Sequence, residues 1–391
     1  MNILQIFNKY LQLGGEEGSV SRIADSIRKK SDLHTFFGST AKDLEHPLGK
    51  LRMPFLMQKN RRVLDDLRAL QKKENFDFWQ IHNVFPAISV AVYELAAELE
   101  IPIVQYLHNY RFSCVNATFY RDGKVCHDCS AENLIPGIKH GCWRGSRIAS
   151  LSMAAALRRL WKSGSVNSIK GFIALSESQK LEHLAMGIPA DKIEVVHHFL
   201  DAENLIITEP KIDGDVLCIS RITEEKGIKL LLEAWAKVNS KGRILRIVGD
   251  GPELSKLRDF ASLWNLDNVV FEGFVPKERH RKLWENATFF VAPSTWLEPF
   301  GMVILESWKH KRPVLATNHG SFPEMISHRK DGWLAEPNPT DFAEGLQLAL
   351  DASENIVSLG KNGHKKLISK YNEEVWCDNI FTAYRKFGLN L

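Results

Sequence analysis

Residues 296–308 read WLEPFGMVILESW, and this run places Glu298 and Glu306 eight positions apart among mostly apolar residues. A short apolar segment precedes it at 289–292, and a helical pattern begins near Met302. A strand, a loop and a helix in this order form the repeating unit of a parallel sheet covered by helices. Because a buried carboxylate is costly without a partner, we expect both glutamates to meet polar groups of the protein or of a ligand.

The same alternation of strands and helices runs through both halves of the chain. In the first half we predict strands at 2–7, 78–82, 103–108, 171–175 and 193–197, with helices that include 18–29 and 88–99. In the second half we predict strands at 216–220, 245–248, 269–271, 289–292 and 313–316, with helices at 227–238, 252–263, 279–284, 302–308 and 373–387. A polar segment with Pro and Gly at 201–215 lies between the two series and is typical of a linker.

This pattern predicts an α/β protein with two doubly wound Rossmann-like domains, 1–200 and 201–370, followed by a helix within 371–391. A chain of 391 residues is long enough for about two or three domains. Ligands of such sheets bind at the carboxyl ends of the strands, so we expect a cleft between the domains. The nearest match to a dinucleotide fingerprint, VGDGPE at 248–253, lacks its third glycine, which argues against hydride transfer.

The composition is that of a globular protein, with 44% hydrophobic and 25% charged residues. The net charge of +4 is too small to indicate a nucleic-acid partner. No apolar run reaches the roughly 20 residues of a membrane-spanning helix, and the first residues do not match a secretory signal. We therefore expect a cytoplasmic protein.

Two stretches of the first half are nonetheless basic. Residues 50–73 contain eight Lys or Arg against Asp65 and Asp66, and residues 133–176 contain seven and no acid. The first stretch mixes cations with apolar side chains, as does an interfacial helix on the surface of an anionic membrane. A solvated helix face is the alternative.

Two predicted loops carry groups suited to a diphosphate. The backbone amides between Glu298 and Glu306 lie at the start of a helix, where the helix dipole favours an anion. In the segment SRITEEKG, Arg221 follows a predicted strand and Lys226 precedes a helix, so both cations can converge on phosphate groups. The two carboxylates can accept hydrogen bonds from hydroxyls on either side, and a nucleotide-sugar has this arrangement of groups.

These segments resemble the retaining glycosyltransferases of family 4, which have the GT-B fold, over nearly the whole chain. The resemblance rests on the glycine loop LGGEEGS, SRITEEKGIKLLLEA, VGDGPE followed by FEGFV, and PSTWLEPFGMVILES with KRPVLATNHGSFPEMI and DGWLAEP after it. It implies a UDP- or GDP-sugar donor and a glycan or lipid-linked glycan acceptor, in bacterial O-antigen, capsule or exopolysaccharide synthesis. It also implies no catalytic divalent metal, and it implies that the C-terminal helix within 371–391 packs back on the first domain.

The resemblance further implies a role for each candidate residue. Arg221 and Lys226 would neutralise the departing diphosphate, as groups aimed at developing charge do. Glu298 would bind hydroxyls of the transferred sugar, and Glu306 would bind the ribose. The remaining donor-binding candidates act through the backbone or through a missing side chain: Gly14, Gly15, Gly249, Phe300, Gly301, Met302 and Val303.

A histidine near the reacting carbon is also implied, and His108 in VQYLHNYRF is the candidate. His82, at the end of the preceding strand, is its rival, and a structural role is the alternative for both. The family pattern is commonly His-Asp, whereas Asn109 follows His108 here, so the expected carboxylate partner is missing. Retention is implied to proceed by front-face attack, with the leaving phosphate accepting the proton of the acceptor.

The cysteines are concentrated in one segment, 110–145, which contains four of the six: Cys114, Cys126, Cys129 and Cys142. A C-x-x-C pair with two further thiols favours a structural zinc site, and a reducing cytosol favours metal over disulfide. Ordinary or redox-active thiols are the alternative. His127 and His140 are spare ligand candidates, and such a site would shape the acceptor loop.

Two further functions are compatible with the sequence. A GT-B nucleotide-sugar epimerase would turn over the donor without any acceptor. A non-enzymatic zinc-containing protein could use its basic surfaces to bind nucleic acid, although too few aromatic residues are interleaved with the cations to form a stacking platform.

Overall fold

The structure is a computed structural model that describes residues 1–9, 15–39, 49–130, 132–201, 208–352 and 354–389. The chain divides into two compact units. The first comprises Met1–Arg121, Cys126–His197 and Trp376–Leu391, and the second comprises Asp122–Val125 and His198–Val375. Gly14 and residues 202–207 of the predicted linker lie outside the described residues.

The first unit is built on six parallel strands in the order β2-β1-β3-β4-β7-β8. They are β1 (Asn2–Lys9), β2 (Asp32–Ser39), β3 (Phe78–Asn83), β4 (Ile103–Tyr106), β7 (Gly171–Ala174) and β8 (Ile193–Val195). Two short strands lie outside this sheet, β5 (Tyr120–Arg121) in the first unit and β6 (Lys124–Val125) in the segment that belongs to the second unit. The helices are α1 (Gly15–Arg28), α2 (Gly49–Gln58), α3 (Arg61–Glu74), α4 (Ala91–Glu98), α5 (Ile135–Lys139), α6 (Arg147–Lys162), α7 (Ser165–Ser168), α8 (Glu177–Ala185) and, from the end of the chain, α16 (Glu373–Lys386).

The second unit repeats this plan with six parallel strands in the order β11-β10-β9-β12-β13-β14. They are β9 (Asp215–Ile219), β10 (Leu245–Val248), β11 (Val269–Gly273), β12 (Ala287–Ala292), β13 (Val314–Thr317) and β14 (Gly332–Ala335). Its helices are α9 (Ile228–Trp235), α10 (Leu254–Leu263), α11 (His280–Asn286), α12 (Met302–Lys309), α13 (Phe322–Met325), α14 (Pro339–Asp351) and α15 (Ile356–Lys370). One-turn 3-10 segments lie at Ala190–Lys192, Glu224–Lys226 and Lys277–Arg279.

The inner strands of both sheets are largely buried, as expected where helices cover both faces. All six residues of β3 and all six of β12 are buried. This is the pattern of continuous apolar strands expected in a doubly wound parallel sheet. The predicted fold class is therefore confirmed, and the carboxyl ends of β9 and β12 carry the loops that contain the candidate donor residues.

Two strands of the six-stranded sheets were not predicted, and both lie at an edge of a sheet; the two-residue strands β5 and β6 were not predicted either. β2 reads DLHTFFGS, with polar and apolar residues mixed, and β14 contains only the four residues GWLA. An edge strand is paired on one side only, so its sequence is under weaker pressure to be apolar. Neither segment therefore carries a clear strand signal.

The basic stretch 50–73 forms two helices rather than one. α2 ends at Gln58, and α3 starts after Asn60, which caps it by accepting a hydrogen bond from Val63 N at 3.5 Å. The apolar side chains of α3, Val63, Leu64 and Leu67, are buried in the core. The prediction of one interfacial helix over the whole stretch is therefore wrong for α3, because its apolar side faces the protein.

Candidate active site

The ion pair between Lys226 and Glu298 is the central feature of the second unit. Lys226 follows β9, and Glu298 lies between β12 and α12. Lys226 Nζ donates to both carboxylate oxygens at 3.0 and 2.8 Å, and the two side chains are only 15% and 13% exposed. The family resemblance implies that these residues bind different parts of the donor, and the sheet order brings them into direct contact.

Further donors fix the Glu298 carboxylate. Trp296 Nε1 donates to Oε2 at 2.7 Å, and Ser294 Oγ donates to the same oxygen at 3.1 Å. Burial by itself would raise the pKa of Glu298, but the charge of Lys226 and these hydrogen bonds outweigh it and hold the pKa below its ordinary value. Glu298 is therefore an ionised carboxylate, suited to accepting hydrogen bonds from hydroxyls and unsuited to acting as an acid.

The two loops of this site are joined by their backbones. Thr295 N donates to the carbonyl oxygen of Glu225 at 2.9 Å, and Glu225 immediately precedes Lys226. Gly227 has a φ of +69°, and a Cβ there would lie 1.9 Å from Pro293 O, so only glycine fits. Arg221 is more exposed than Lys226, with 68% of its side chain accessible, and its Nη2 lies 3.6 Å from Glu225 Oε1. Arg221 is thus available to a ligand, whereas Lys226 is already held by Glu298.

The loop before α12 directs the start of this helix. Gly301 has a φ of +87°, and no side chain forms a capping hydrogen bond at this helix N-terminus. Phe300 is buried, and its carbonyl accepts from Ser321 Oγ at 2.7 Å. The half-buried Met302 and Val303 follow in the first turn. An uncapped N-terminus beside buried loop residues is an arrangement that can bind an anionic group.

Glu306 lies one turn further along α12 and is only weakly paired. Its carboxylate is 30% exposed and lies 3.7 Å from Nζ of Lys277, which is itself 75% exposed. A pair this open to solvent holds its members loosely. Glu306 can therefore exchange Lys277 for the hydroxyls of a ligand at little cost.

The two glycine candidates differ in what surrounds them. A Cβ on Gly249, which has a φ of +139°, would lie 1.8 Å from Ser220 O, so this glycine is required by the approach of two backbones. Gly15 is the first residue of α1, and a Cβ there would meet none of the described residues within 4 Å. Packing therefore explains why position 249 is a glycine. It does not explain the glycine at position 15, for which contact with a ligand is one explanation. Gly14 lies outside the described residues.

In the first unit, the partner of His108 is His82. His82 Nδ1 lies 2.7 Å from His108 Nε2, and the rings are stacked with centroids 5.0 Å apart. Asn109 Oδ1 instead accepts from Arg111 N at 3.0 Å. The carboxylate expected from the family pattern is thus replaced by an imidazole on the neighbouring strand, and the two histidines line one shallow cavity with Arg111.

Two glutamines set the tautomers of this pair. The amide nitrogens of Gln5 and Gln80 lie 3.0 and 2.8 Å from His82 Nε2, and an amide nitrogen can only donate. His82 Nε2 therefore accepts, so its Nδ1 carries the proton and donates to His108 Nε2. Tyr384 Oη, on α16, donates to Gln80 Oε1 at 2.6 Å and so fixes the orientation of that amide. Burial lowers the pKa of His108 to about 3, which keeps it neutral with its own proton on Nδ1.

Comparison with family models covers almost the whole chain. Residues 14–204 match the model described as Glycosyltransferase Family 4, and residues 203–366 match the model of Glycosyl transferases group 1. The chain belongs to the family 4 glycosyltransferases.

Relatives of this glycosyltransferase support the assignment. An uncharacterized glycosyltransferase of Methanocaldococcus jannaschii is 30% identical over 226 residues, which are 53% of this chain and 57% of the relative. The amylovoran biosynthesis glycosyltransferase AmsK of Erwinia amylovora is 26% identical over 217 residues, 52% of each chain. The chain thus spans about half the length of the curated relatives it matches.

Among solved structures, Anabaena Alr3699/HepE in complex with UDP is similar over 98% of this chain and 100% of its own. The TM-score is 0.69 and the identity is 19%. A likeness at this identity concerns the fold, and it confirms the GT-B architecture of the glycosyltransferase.

The four clustered cysteines of the glycosyltransferase lie near one another in the first unit, and all are free thiols. Burial, together with the smaller effect of the nearby thiols of Cys114, Cys142 and Cys126, raises the pKa of Cys129 to about 11. His127 is engaged elsewhere, 2.8 Å from Glu182. Within the described ranges, no three His, Cys, Asp or Glu side chains are arranged so that they could hold a metal ion.

The residues that hold the candidate side chains in place were not predicted from the sequence. Ser294 and Trp296 anchor Glu298, and Gln5 and Gln80 orient His82. Ser294 and Trp296 stand four and two positions before Glu298, a spacing that could have indicated them. The glutamines carried no such signal, because an isolated Gln in an apolar strand has no partner visible in the sequence.

Proposed function

We propose that this glycosyltransferase transfers a sugar from a UDP- or GDP-sugar to a glycan or lipid-linked glycan, with retention at the anomeric carbon. The observation that carries the proposal is the buried Lys226–Glu298 pair beside the uncapped start of α12. This arrangement offers cations and amides for a diphosphate and carboxylates for hydroxyls. The likeness to a UDP-bound structure supports a nucleotide-sugar donor.

Each residue has a distinct part in this proposal. Arg221, which is largely exposed, contacts the diphosphate directly, and charge neutralisation there assists departure of the leaving group. Lys226 adds positive charge and positions Glu298, which binds hydroxyls of the transferred sugar. Glu306 binds the ribose, and the backbone of Phe300–Val303 contacts sugar and phosphate.

The first unit contributes Gly15, assigned to the donor phosphates, and His108, assigned to the reacting carbon. A neutral His108 donates from Nδ1 and accepts no proton at ordinary pH, so it stabilises charge and leaves proton acceptance to the departing phosphate. With Arg221 and Lys226 supplying the positive charge, the reaction as proposed needs no divalent metal.

The pathway assigned to the enzyme is synthesis of a bacterial surface polysaccharide. The amylovoran biosynthesis relative supports a glycan acceptor, and a lipid-linked glycan would place the reaction in the cytoplasm at the inner face of the membrane. Among the described residues, no helix is both long and apolar enough to cross a membrane. The membrane contact in this proposal is peripheral.

The proposal also includes a structural zinc ion at the cysteine cluster. Four thiols are the ligand set that tetrahedral zinc prefers, and the ion would lower the pKa values that burial raises. Binding would require the four side chains to draw together. Metal analysis of purified protein tests this, and absence of stoichiometric zinc would refute it.

The function is tested by incubating the enzyme with a panel of UDP- and GDP-sugars and measuring the nucleoside diphosphate released. We expect release with one donor, acceleration by a lipid-linked glycan, and a product whose anomeric configuration, read by NMR, matches the donor. Chelation of divalent ions should leave the rate unchanged. An epimerase would convert the donor without any acceptor.

The Glu306→Ala variant is the matched test of the donor site. Because Glu306 is loosely paired, this variant should fold normally and bind the nucleotide at least about tenfold more weakly. If no donor releases a nucleoside diphosphate, and Glu306→Ala binds nucleotide as the wild type does, the proposed function is wrong.

A further inference from the structure

One surface of the first unit, formed by α2 and α6, combines exposed apolar side chains with cations. Phe55 on α2 is 76% exposed, and Ile148 and Leu151 on α6 are 78% and 55% exposed. Single exposed apolar side chains are common, but a cluster of them is unusual on a surface that meets only water. We call this surface the α2–α6 face and define it by Arg52, Phe55, Lys59, Ile148, Leu151 and Arg158.

The two helices lie side by side, so their exposed residues belong to one surface. Gln58 Nε2 at the end of α2 donates to Ser152 O on α6 at 3.3 Å. Arg159 of α6 in turn donates to Gln58 O at 3.0 Å. The opposite sides of both helices are already buried, through Met57 on α2 and Met153 on α6. The exposed residues are therefore an outer face of a packed pair of helices.

The charged residues that define this face are all cations, and at its edge Lys59 lines a groove together with Asp65, Glu94 and Glu98. Arg52, Lys59 and Arg158 are exposed, and none of them forms an ion pair with any carboxylate that the structure describes. The sequence contains no acid from 49 to 64 or from 133 to 176. The nearby Glu94 is already held by Arg159, whose Nε lies 2.6 Å from it. The α2–α6 face thus presents positive charge around an apolar centre.

We propose that the α2–α6 face docks on the surface of an anionic lipid bilayer. Phe55, Ile148 and Leu151 would enter the boundary between headgroups and acyl chains, while the cations contact the headgroups. A second copy of this chain is a poor occupant, because pairing the face with itself would bring the same cations together. The inference rests on the proposed function, in which the acceptor is lipid-linked.

Flotation with vesicles tests the docking. We expect the protein to float with phosphatidylcholine vesicles in which about one lipid in three is phosphatidylglycerol, and to remain behind with pure phosphatidylcholine. Salt should weaken the binding, since it screens the cations. The triple variant Phe55→Ser, Ile148→Ser, Leu151→Ser should bind at least about tenfold more weakly, because burial of apolar area sets the strength of such anchors.

The matched control is Ile212→Ser, Leu263→Ser, Ile368→Ser, which removes three exposed apolar side chains of the second unit. These are 50%, 79% and 49% exposed, and the control should float like the wild type. Three results would each overturn the proposal. They are failure of the wild type to float, flotation of the triple variant of the α2–α6 face (the α2–α6 variant) equal to that of the wild type, and a loss of binding in the control as large as in that variant.

A second readout separates this inference from the proposed function. Release of nucleoside diphosphate from the donor in the absence of vesicles should be unchanged in the α2–α6 variant. Normal release together with loss of flotation supports the docking face. Flotation by a wild type that releases no nucleoside diphosphate would refute the function and leave the docking face standing.

Discussion

At the scale of single residues, the Lys226–Glu298 pair determines the stability of the candidate site as well as its chemistry. Lys226→Ala would leave a carboxylate that is 13% exposed without its charge partner. We expect the free energy of unfolding to fall by about 3–5 kcal/mol, together with loss of transfer activity. Urea unfolding and donor turnover measure the two effects. Lys277→Ala is the control, since its pair with Glu306 is exposed and should change stability by no more than about 0.5 kcal/mol.

The two glycines make a sharper test, because packing explains one and not the other. Gly249→Ala places a Cβ against Ser220 O at a positive φ, so we expect a loss of about 2–4 kcal/mol of unfolding free energy. Gly15→Ala meets no neighbour and should leave stability unchanged or raise it by up to about 1 kcal/mol. Its affinity for UDP, measured by titration calorimetry, should nevertheless fall. Wild-type affinity in Gly15→Ala would contradict the assignment of Gly15 to the donor phosphates.

The pH dependence of stability reports on His108. Its pKa is lowered to about 3 by burial, whereas an unfolded histidine titrates near ~6.5. Between these values the unfolded chain binds one proton more than the folded chain, so stability rises with pH and is lost as the pH falls. His108→Asn should therefore flatten the slope by up to about 1.4 kcal/mol per pH unit between about pH 5 and pH 6.5. Identical slopes in urea unfolding would show that His108 is not buried in its neutral form.

At the scale of elements, the strands and helices of the core followed from the period of apolar residues, while the break within the basic stretch 50–73 did not. β10 was predicted with its observed bounds, and α12 was predicted to start at Met302, where it does. The break between α2 and α3 escaped prediction because the cations and apolar residues of 50–73 continue across it. The break is determined by Asn60, whose buried side chain both accepts and donates a hydrogen bond.

This capping residue is the subject of the element-scale prediction. Asn60 accepts from Val63 N and donates through Nδ2 to Ala87 O at 2.7 Å. Asn60→Ala should lower the unfolding free energy by about 1–2 kcal/mol, since a cap and a buried hydrogen bond are lost together. Asn355→Ala, at the start of α15, removes a residue whose side chain forms no capping bond. Equal losses in the two variants, measured in urea, would contradict the role of Asn60.

At the scale of the whole molecule, the last helix belongs to the first unit, although it follows the entire second unit in the sequence. α16 reaches the centre of the first sheet, where Tyr384 contacts Gln80 across 304 residues of sequence. A Cβ on Gly171 of β7 would lie 2.2 Å from the ring of Phe387, which shows how closely the end of the chain approaches the strand. The end of the chain is therefore part of the core.

Tyr384→Phe tests this long-range connection to the histidine pair. The change removes one buried hydrogen bond and should cost about 1–2 kcal/mol of unfolding free energy. It also releases the Gln80 amide that sets the tautomer of His82, so we expect a lower kcat with little change in KM for the donor. Nitrogen NMR of the histidine rings would record the changed tautomer. If the tautomer of His82 and kcat are both unaltered, Tyr384 contributes only to packing.

The sequence by itself determined the alternation of strands and helices, the GT-B class and the identity of the donor-binding candidates. These depend on local period and on motifs whose residues stand close together in the chain. Only the tertiary structure decided that Lys226 pairs with Glu298 and His82 with His108, contacts that span 72 and 26 residues. Such partners are chosen by the order of strands in a sheet, which places the ends of β9 and β12, or of β3 and β4, next to each other. Spacing along the chain does not contain that order.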